Sequence, residues 1–131
     1  MATKKAYLAD FGISKFVVAC TGTNNTQPLQ IRGGGTAAFL PPEQLSAKYD
    51  GTGCDVYACG GVLYELFSEK QMWPGLLPYQ IIAKVVTLGE TPDVSLIPCT
   101  EVQQICTSCF RPLQDRPLII NILKKLIDIW Q

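Results

Sequence analysis

Thr52-Gly53-Cys54-Asp55-Val56-Tyr57-Ala58-Cys59-Gly60-Gly61-Val62-Leu63-Tyr64-Glu65-Leu66-Phe67 is the stretch whose reading decides the fold. Its first four residues fit a capping box, in which Thr52 accepts from a backbone N–H and Asp55 reaches back. The apolar run from Val56 to Phe67 then predicts a buried helix. Gly60 and Gly61 each cost that helix about 1 kcal/mol relative to Ala, which predicts close approach of another segment at that point.

Downstream, Pro74 and Pro78 bracket a loop, and Tyr79–Val86 reads as a short helix, with Ile82 and Val86 four apart, ended by Gly89 and Pro92. Glu101–Phe110 and Leu118–Ile129 supply two more helices, the last with Ile119, Ile122, Leu123, Leu126, Ile127 and Trp130 at helical spacing. Upstream, Glu43-Gln44-Leu45 begins a short helical turn after Pro41-Pro42 has stopped any regular ladder. Thr21 to Gly35, with three consecutive glycines, predicts turns and mobility. Tyr7-Leu8-Ala9 and Phe16-Val17-Val18-Ala19 predict two brief strands around a turn. The class expected is mainly α with a small β element at the start.

A chain of 131 residues suits one domain with one core. Eleven basic and eleven acidic residues cancel, so no long-range field steers it toward nucleic acid or an anionic membrane, and neither partner is expected. The longest apolar segment, Leu118 to Trp130, is broken by Asn121, Lys124, Lys125 and Asp128 and falls short of the ~20 residues that span a bilayer. With no export signal the expected location is the cytoplasm, and the six cysteines are expected to be reduced, most of them packed as small apolar groups. Cys106-Thr107-Ser108-Cys109 has zinc or redox spacing but no second such pair and no His to complete four ligands. The absence of His also excludes Ser-His-Asp and Cys-His catalysis.

Three short motifs remain, in a fixed order: Asp10-Phe11-Gly12 after an apolar run, Pro41-Pro42-Glu43, and Arg116-Pro117. A carboxylate after a strand can hold Mg²⁺ between nucleotide phosphates, the adjacent Phe can pack to set its position, and Gly tolerates the backbone change that switching demands. With these motifs around Asp55-Val56-Tyr57 to Leu66, the chain resembles a eukaryotic-type protein kinase domain, from about Ala6 to Leu126. The resemblance covers the C-terminal lobe from the Asp-Phe-Gly motif onward. It implies a kinase-like C-terminal lobe without N-terminal lobe or catalytic loop, in which 1–131 form a partial kinase domain, 6–43 being the magnesium-binding turn and activation segment and 44–131 the helical base.

The resemblance further implies roles residue by residue. Asp10 would position Mg²⁺, and Phe11 and Gly12 would form the conformational switch. Thr21, Thr23 and Thr26 would be activation-segment phosphosites, with Lys15 and Arg32 as local partners for the added charge. Thr36, Phe39, Pro41 and Pro42 would shape the substrate-docking loop, with Pro41 where Ala is usual and Phe39 where Tyr is usual. Glu43 and Arg116 would form a structural ion pair, Asp55 would anchor the central helix, and Trp73-Pro74 resembles the element that comes after it. Gly35-Thr36 fits the serine/threonine pattern better than the tyrosine pattern.

ATP and Mg²⁺ are implied for the complete domain, with phosphoryl transfer to protein Ser/Thr hydroxyls. The nine residues before Asp10 leave no room for a glycine-rich loop, a strand lysine or a catalytic-loop Asp and Asn, so these 131 residues alone are expected to be inactive and to bind neither cofactor tightly. The expected partners are a protein substrate or the N-terminal part of the same domain. The alternative is a non-catalytic, pseudokinase-like interaction module. A piece of a longer enzyme is expected to expose an apolar patch around Gly60 and Gly61, which a stand-alone module would cover.

Overall fold

A computed structural model describes residues 4–9, 37–48 and 51–130. Among these residues five α-helices occur in order: α1 (Pro42–Leu45), α2 (Thr52–Ser68), α3 (Pro78–Ile82), α4 (Thr100–Cys109) and α5 (Ile119–Trp130). Short 3₁₀ turns at Ala37–Phe39, Val94–Leu96 and Leu113–Asp115 link them. No strand occurs among the described residues; 4–9 have no regular secondary structure and are exposed, and Phe16–Ala19 lie outside them. A strand at Tyr7–Ala9 would need a neighbour to pair its backbone, and no described segment supplies one.

α2 is the axis of the molecule. It turns Cys54, Val56, Tyr57, Gly60, Gly61, Leu63 and Tyr64 inward, mainly against α4, which contributes Val102, Ile105, Cys106 and Cys109. Ile97 and Phe110 flank α4 in the same core, and Ile122 of α5 joins it. Each fully buried side chain of this size contributes about 1.5–3 kcal/mol of transfer free energy. A second cluster, Ala37, Leu45, Ile81 and Val85, holds the 37–45 segment against α3, and Trp73 packs on both clusters.

The glycine pair lies where two segments crowd α2. A Cβ on Gly60 would sit 2.5 Å from Cys109 Cβ, and one on Gly61 would sit 2.8 Å from Phe39 Cδ1. Both positions are themselves buried, and the apolar exposure expected around them begins at the next residue, Val62. Exposed apolar side chains stand at Val62 and Leu66 of α2, at Leu77 and Tyr79, and along α5 at Ile119, Leu123, Ile127 and Trp130.

Three local expectations are corrected. The N-cap of α2 is Gly51, which has no side chain to cap with, so Thr52 begins the helix from inside and the capping box is not formed; Cys54 N–H donates instead to Gly51 O at 2.9 Å. The helix expected over Tyr79–Val86 runs as α3 only to Ile82 and then widens over Ala83–Thr87, where Leu88 N–H reaches back five residues to Ala83 O at 3.1 Å. The β-branched Val85, Val86 and Thr87, poor fits to a tight helical turn, occupy the widened stretch, and Gly89 at φ +66° ends it. α5 and α4 each lie one residue from their expected bounds.

Candidate functional site

Pro41 is extended (φ −74°, ψ 164°) and almost wholly buried, and Pro42 opens α1 with the fixed φ that a first helical turn requires. Glu43 comes next in that turn. Far along the chain, Arg116 leaves the Leu113–Asp115 turn in an extended conformation (φ −73°, ψ 140°), as a residue preceding proline must. The two side chains meet across 73 positions of sequence.

Arg116 Nη2 donates to Glu43 Oε2 at 3.0 Å and Nη1 to Glu43 Oε1, a bidentate fork. Nη1 also donates to Gly53 O at 3.0 Å in the first turn of α2, and Nε to Arg111 O at 2.8 Å. The guanidinium carbon stands 5.2 Å from the centre of the Tyr57 ring, and Cys54 Sγ lies 3.9 Å from Glu43 Oε1. The Arg116 side chain is 1% exposed and the Glu43 side chain 13%, so the pair is desolvated and its remaining donors are satisfied by carbonyls rather than by water. Three segments converge on one guanidinium: the 37–45 segment, α2, and Arg111 ahead of the Leu113–Asp115 turn.

The sequence does not single out Tyr57, although an aromatic residue one turn behind the Gly53 carbonyl is well placed to cover a cation. Its ring also meets Phe110 edge-on at 5.1 Å. Burial pushes the Tyr57 hydroxyl up to about 12; Arg116 opposes that rise and Glu43 adds to it. Trp73 is legible in the sequence only as part of a motif, whereas its partner Lys84, with Nζ 5.9 Å from the ring centre, carries no sequence signal.

Phe39 wedges toward Gly61 and is half-buried, so Phe39, Pro41, Pro42 and Glu43 form one continuous strap over α2. Asp55 is exposed in the first turn of α2, where its charge complements the positive end of the helix. Asp10, Phe11, Gly12, Lys15, Thr21, Thr23, Thr26, Arg32 and Thr36 lie outside the described residues. Among the described residues no three His, Cys, Asp or Glu side chains converge to hold a metal ion, so the fit of magnesium rests on the sequence position of Asp10 alone.

Cys106 and Cys109 are pushed up to about 12 chiefly by burial, and burial raises Cys59 as well. These are protonated packing groups rather than nucleophiles. A groove of about 270 Å³ lined by Thr91, Pro92, Val94, Thr107, Phe110 and Arg111 brings no reactive set together. None of the described helices is long and apolar enough to cross a membrane.

A helical lobe whose strap is tied to its base by a buried Arg–Glu fork defines the class of protein. A model of the protein kinase domain family matches residues 1–125, and the chain belongs to that family. It is 31% identical over 103 residues to mitogen-activated protein kinase kinase kinase 18 of Arabidopsis thaliana, covering 76% of this chain and 27% of that protein. It is 32% identical over 120 residues to the probable serine/threonine-protein kinase SIS8 of the same plant, covering 91% of this chain and 11% of that protein. With serine/threonine-protein kinase Nek1 of Mus musculus it shares 30% identity over 119 residues, 90% of this chain and 9% of that protein. The chain thus spans about a quarter or less of the length of these relatives.

Proposed function

We propose that these residues form the activation segment and helical base of a serine/threonine protein kinase domain, which when complete transfers the γ-phosphoryl group of ATP to a protein hydroxyl. The observation that carries this reading is the fork between Glu43 and Arg116, because it fixes the strap bearing Phe39, Pro41 and Pro42 at one height over the base. A protein acceptor would lie against that strap, and positioning supplies much of the rate in such reactions. Mg²⁺ with ATP would supply the charge neutralisation at the phosphates, held by Asp10. The role of Phe11 and Gly12 would be to set Asp10, and phosphate on Thr21, Thr23 or Thr26 would adjust the segment between. Asp55, at the start of α2, would brace the catalytic loop of the complete domain.

Residues 1–131 alone bring neither a phosphate cradle nor a catalytic base, so they transfer no phosphate by themselves. Their partners are a protein substrate or the N-terminal part of the same domain, in the cytoplasm. Neutral net charge supports the absence of nucleic-acid and membrane partners. The non-catalytic interaction module keeps one observation in its favour, the burial of Gly60 and Gly61, and is opposed by the apolar side chains left exposed at Val62, Leu66, Ile127 and Trp130.

The test is transfer of labelled phosphate to a generic protein substrate. Residues 1–131 give none; joined to a kinase N-terminal lobe and catalytic loop they give transfer that Asp10→Ala abolishes. Transfer by the isolated chain, or a joined domain indifferent to Asp10→Ala, would sink the reading.

A further inference from the structure

Between α3 and α4 the chain sets a threonine and an arginine in one groove. Thr91 is exposed, and it is the only Ser or Thr of the sequence followed by proline. It lines the groove of about 270 Å³ together with Pro92, Val94, Thr107, Phe110 and Arg111. Pro92 and Phe110 are buried, so apolar packing fixes where the loop lies. Among the described residues the Thr91 hydroxyl makes no hydrogen bond, whereas Thr107 Oγ1 donates to Gln103 O at 2.8 Å.

Arg111 is exposed just beyond α4, and among the described residues its guanidinium makes no ion pair. Its carbonyl is engaged, accepting from Arg116 Nε at 2.8 Å. The two carboxylates nearest Thr91 in sequence have partners of their own. Glu90 Oε2 lies 3.2 Å from Lys84 Nζ, and Asp93 Oδ1 accepts from Ser95 N–H at 3.1 Å and from Ser95 Oγ at 2.6 Å. Of the polar side chains in the groove, only those of Thr91 and Arg111 are left without a partner among the described residues.

The loop is also lightly held. Neither Thr91 N–H nor Asp93 N–H donates a backbone hydrogen bond among the described residues, and no helix includes them. A residue preceding proline is steered toward the extended backbone. Withdrawing Pro92 from its packing opens the segment, a local event that costs less than unfolding the core.

We propose that Thr91 is a phosphorylation site, modified by a separate protein kinase that accepts Thr before Pro, and that Arg111 captures the phosphate in the groove. Thr91 Oγ1 attacks the γ-phosphorus of ATP bound to that kinase. The new O–P bond forms as the bond to the β–γ bridging oxygen breaks, ADP leaves, and the hydroxyl proton passes to the modifying kinase's catalytic carboxylate. The phosphate brings nearly two negative charges and three acceptor oxygens, which suit the guanidinium fork. Held by Arg111, it ties the loop after α3 to the end of α4 and, through the Arg111 carbonyl, to the fork of Arg116 and Glu43. The proposal needs no phosphotransfer by this chain and stands apart from its proposed function.

The test incubates residues 1–131 with Mg²⁺, ATP and a protein kinase selective for Thr-Pro sequences, its activity verified on a Thr-Pro peptide, and locates the phosphate by tandem mass spectrometry. Phosphate on Thr91 is expected, and none at that position in Thr91→Val. The phosphorylated chain should unfold at least about 2 °C above the unmodified one. Arg111→Gln, which keeps the carbonyl that Arg116 uses, should accept the phosphate and lose that rise. No phosphate on Thr91 overturns the site. A rise that persists in Arg111→Gln, or a midpoint that falls on phosphorylation, overturns the capture. Phosphate on Thr91 without the added kinase overturns the separate modifier, and with it the inactivity of the isolated chain.

Discussion

Arg116 grips both carboxylate oxygens of Glu43 with two nitrogens while its guanidinium carbon lies over the Tyr57 ring. Since the pair is desolvated, its worth lies less in net attraction than in the penalty incurred when one partner is lost. Arg116→Ala and Glu43→Ala are each expected to cost about 3–5 kcal/mol in urea unfolding, because each leaves a buried charge alone. Arg116→Lys keeps the charge and loses the fork, so it should also be clearly destabilised. The double variant Glu43→Leu with Arg116→Met should recover a large part of the loss. Equal midpoints for wild type and Arg116→Ala would show that the fork does not hold the strap.

Tyr57 separates ring from hydroxyl. Its hydroxyl is buried with no hydrogen-bond partner among the described residues, while its ring serves both Arg116 and Phe110. Tyr57→Phe removes a costly unpaired group and keeps the ring, so stability should change little or rise by up to about 1 kcal/mol. Tyr57→Leu loses the cation contact and the edge-on aromatic pair and should cost about 2–3 kcal/mol. The same urea midpoints decide it: a larger loss in Tyr57→Phe than in Tyr57→Leu would show that the hydroxyl is paired.

Much of this is legible in the residues. The apolar run of α2 and the spacing along α5 give helices within a residue of their observed bounds, because both carry signals longer than any local ambiguity. The order of Glu43 and Arg116 is readable, but Gly53 O, Arg111 O and the Tyr57 ring are not, since carbonyl partners and ring contacts depend on where the chain returns in space. Local chemistry fails where two signals compete. Thr52 looks like a cap, yet Gly51 occupies that position, and Val85 to Thr87 look helical by period although their branched side chains sit in a widened turn. Gly60 and Gly61 are rightly read as points of close approach, but that they are themselves buried while Val62 and Leu66 beside them are exposed is not readable, because periodicity shows that a face is apolar but not which face is covered.

Gly60 and Gly53 make a paired test of that close approach. A Cβ at Gly60 would stand 2.5 Å from Cys109 Cβ, an atom fixed to the α4 backbone, whereas a Cβ at Gly53 would meet Leu113 Cδ1, the far end of a flexible side chain. Ala favours a helix over Gly by about 1 kcal/mol at either place. Overpacking of about 1–3 kcal/mol should outweigh that gain at Gly60 and not at Gly53. Thermal unfolding should therefore show Gly60→Ala destabilised and Gly53→Ala near neutral; the reverse order would mean that α2 and α4 separate easily.

The buried thiols predict a stability that fails on the alkaline side. Cys106 and Cys109 rise from an ordinary 9.0 to about 12, mainly through burial, so the fold keeps protons that the unfolded chain releases. Above pH about 9 the unfolded state binds fewer protons than the native state, and stability falls as pH increases toward 12. Below that window both states hold these protons and the two thiols give no slope. Tyr57, raised from 10.0 to about 12, adds to the decline in the upper part of the window. Urea midpoints measured across the pH range should be level near neutrality and drop beyond pH about 9, with Cys106→Ala and Cys109→Ala combined making the drop shallower. A midpoint that rises between pH about 9 and about 10.5, or a drop unchanged in the double variant, would show that the thiols are not held protonated by the core.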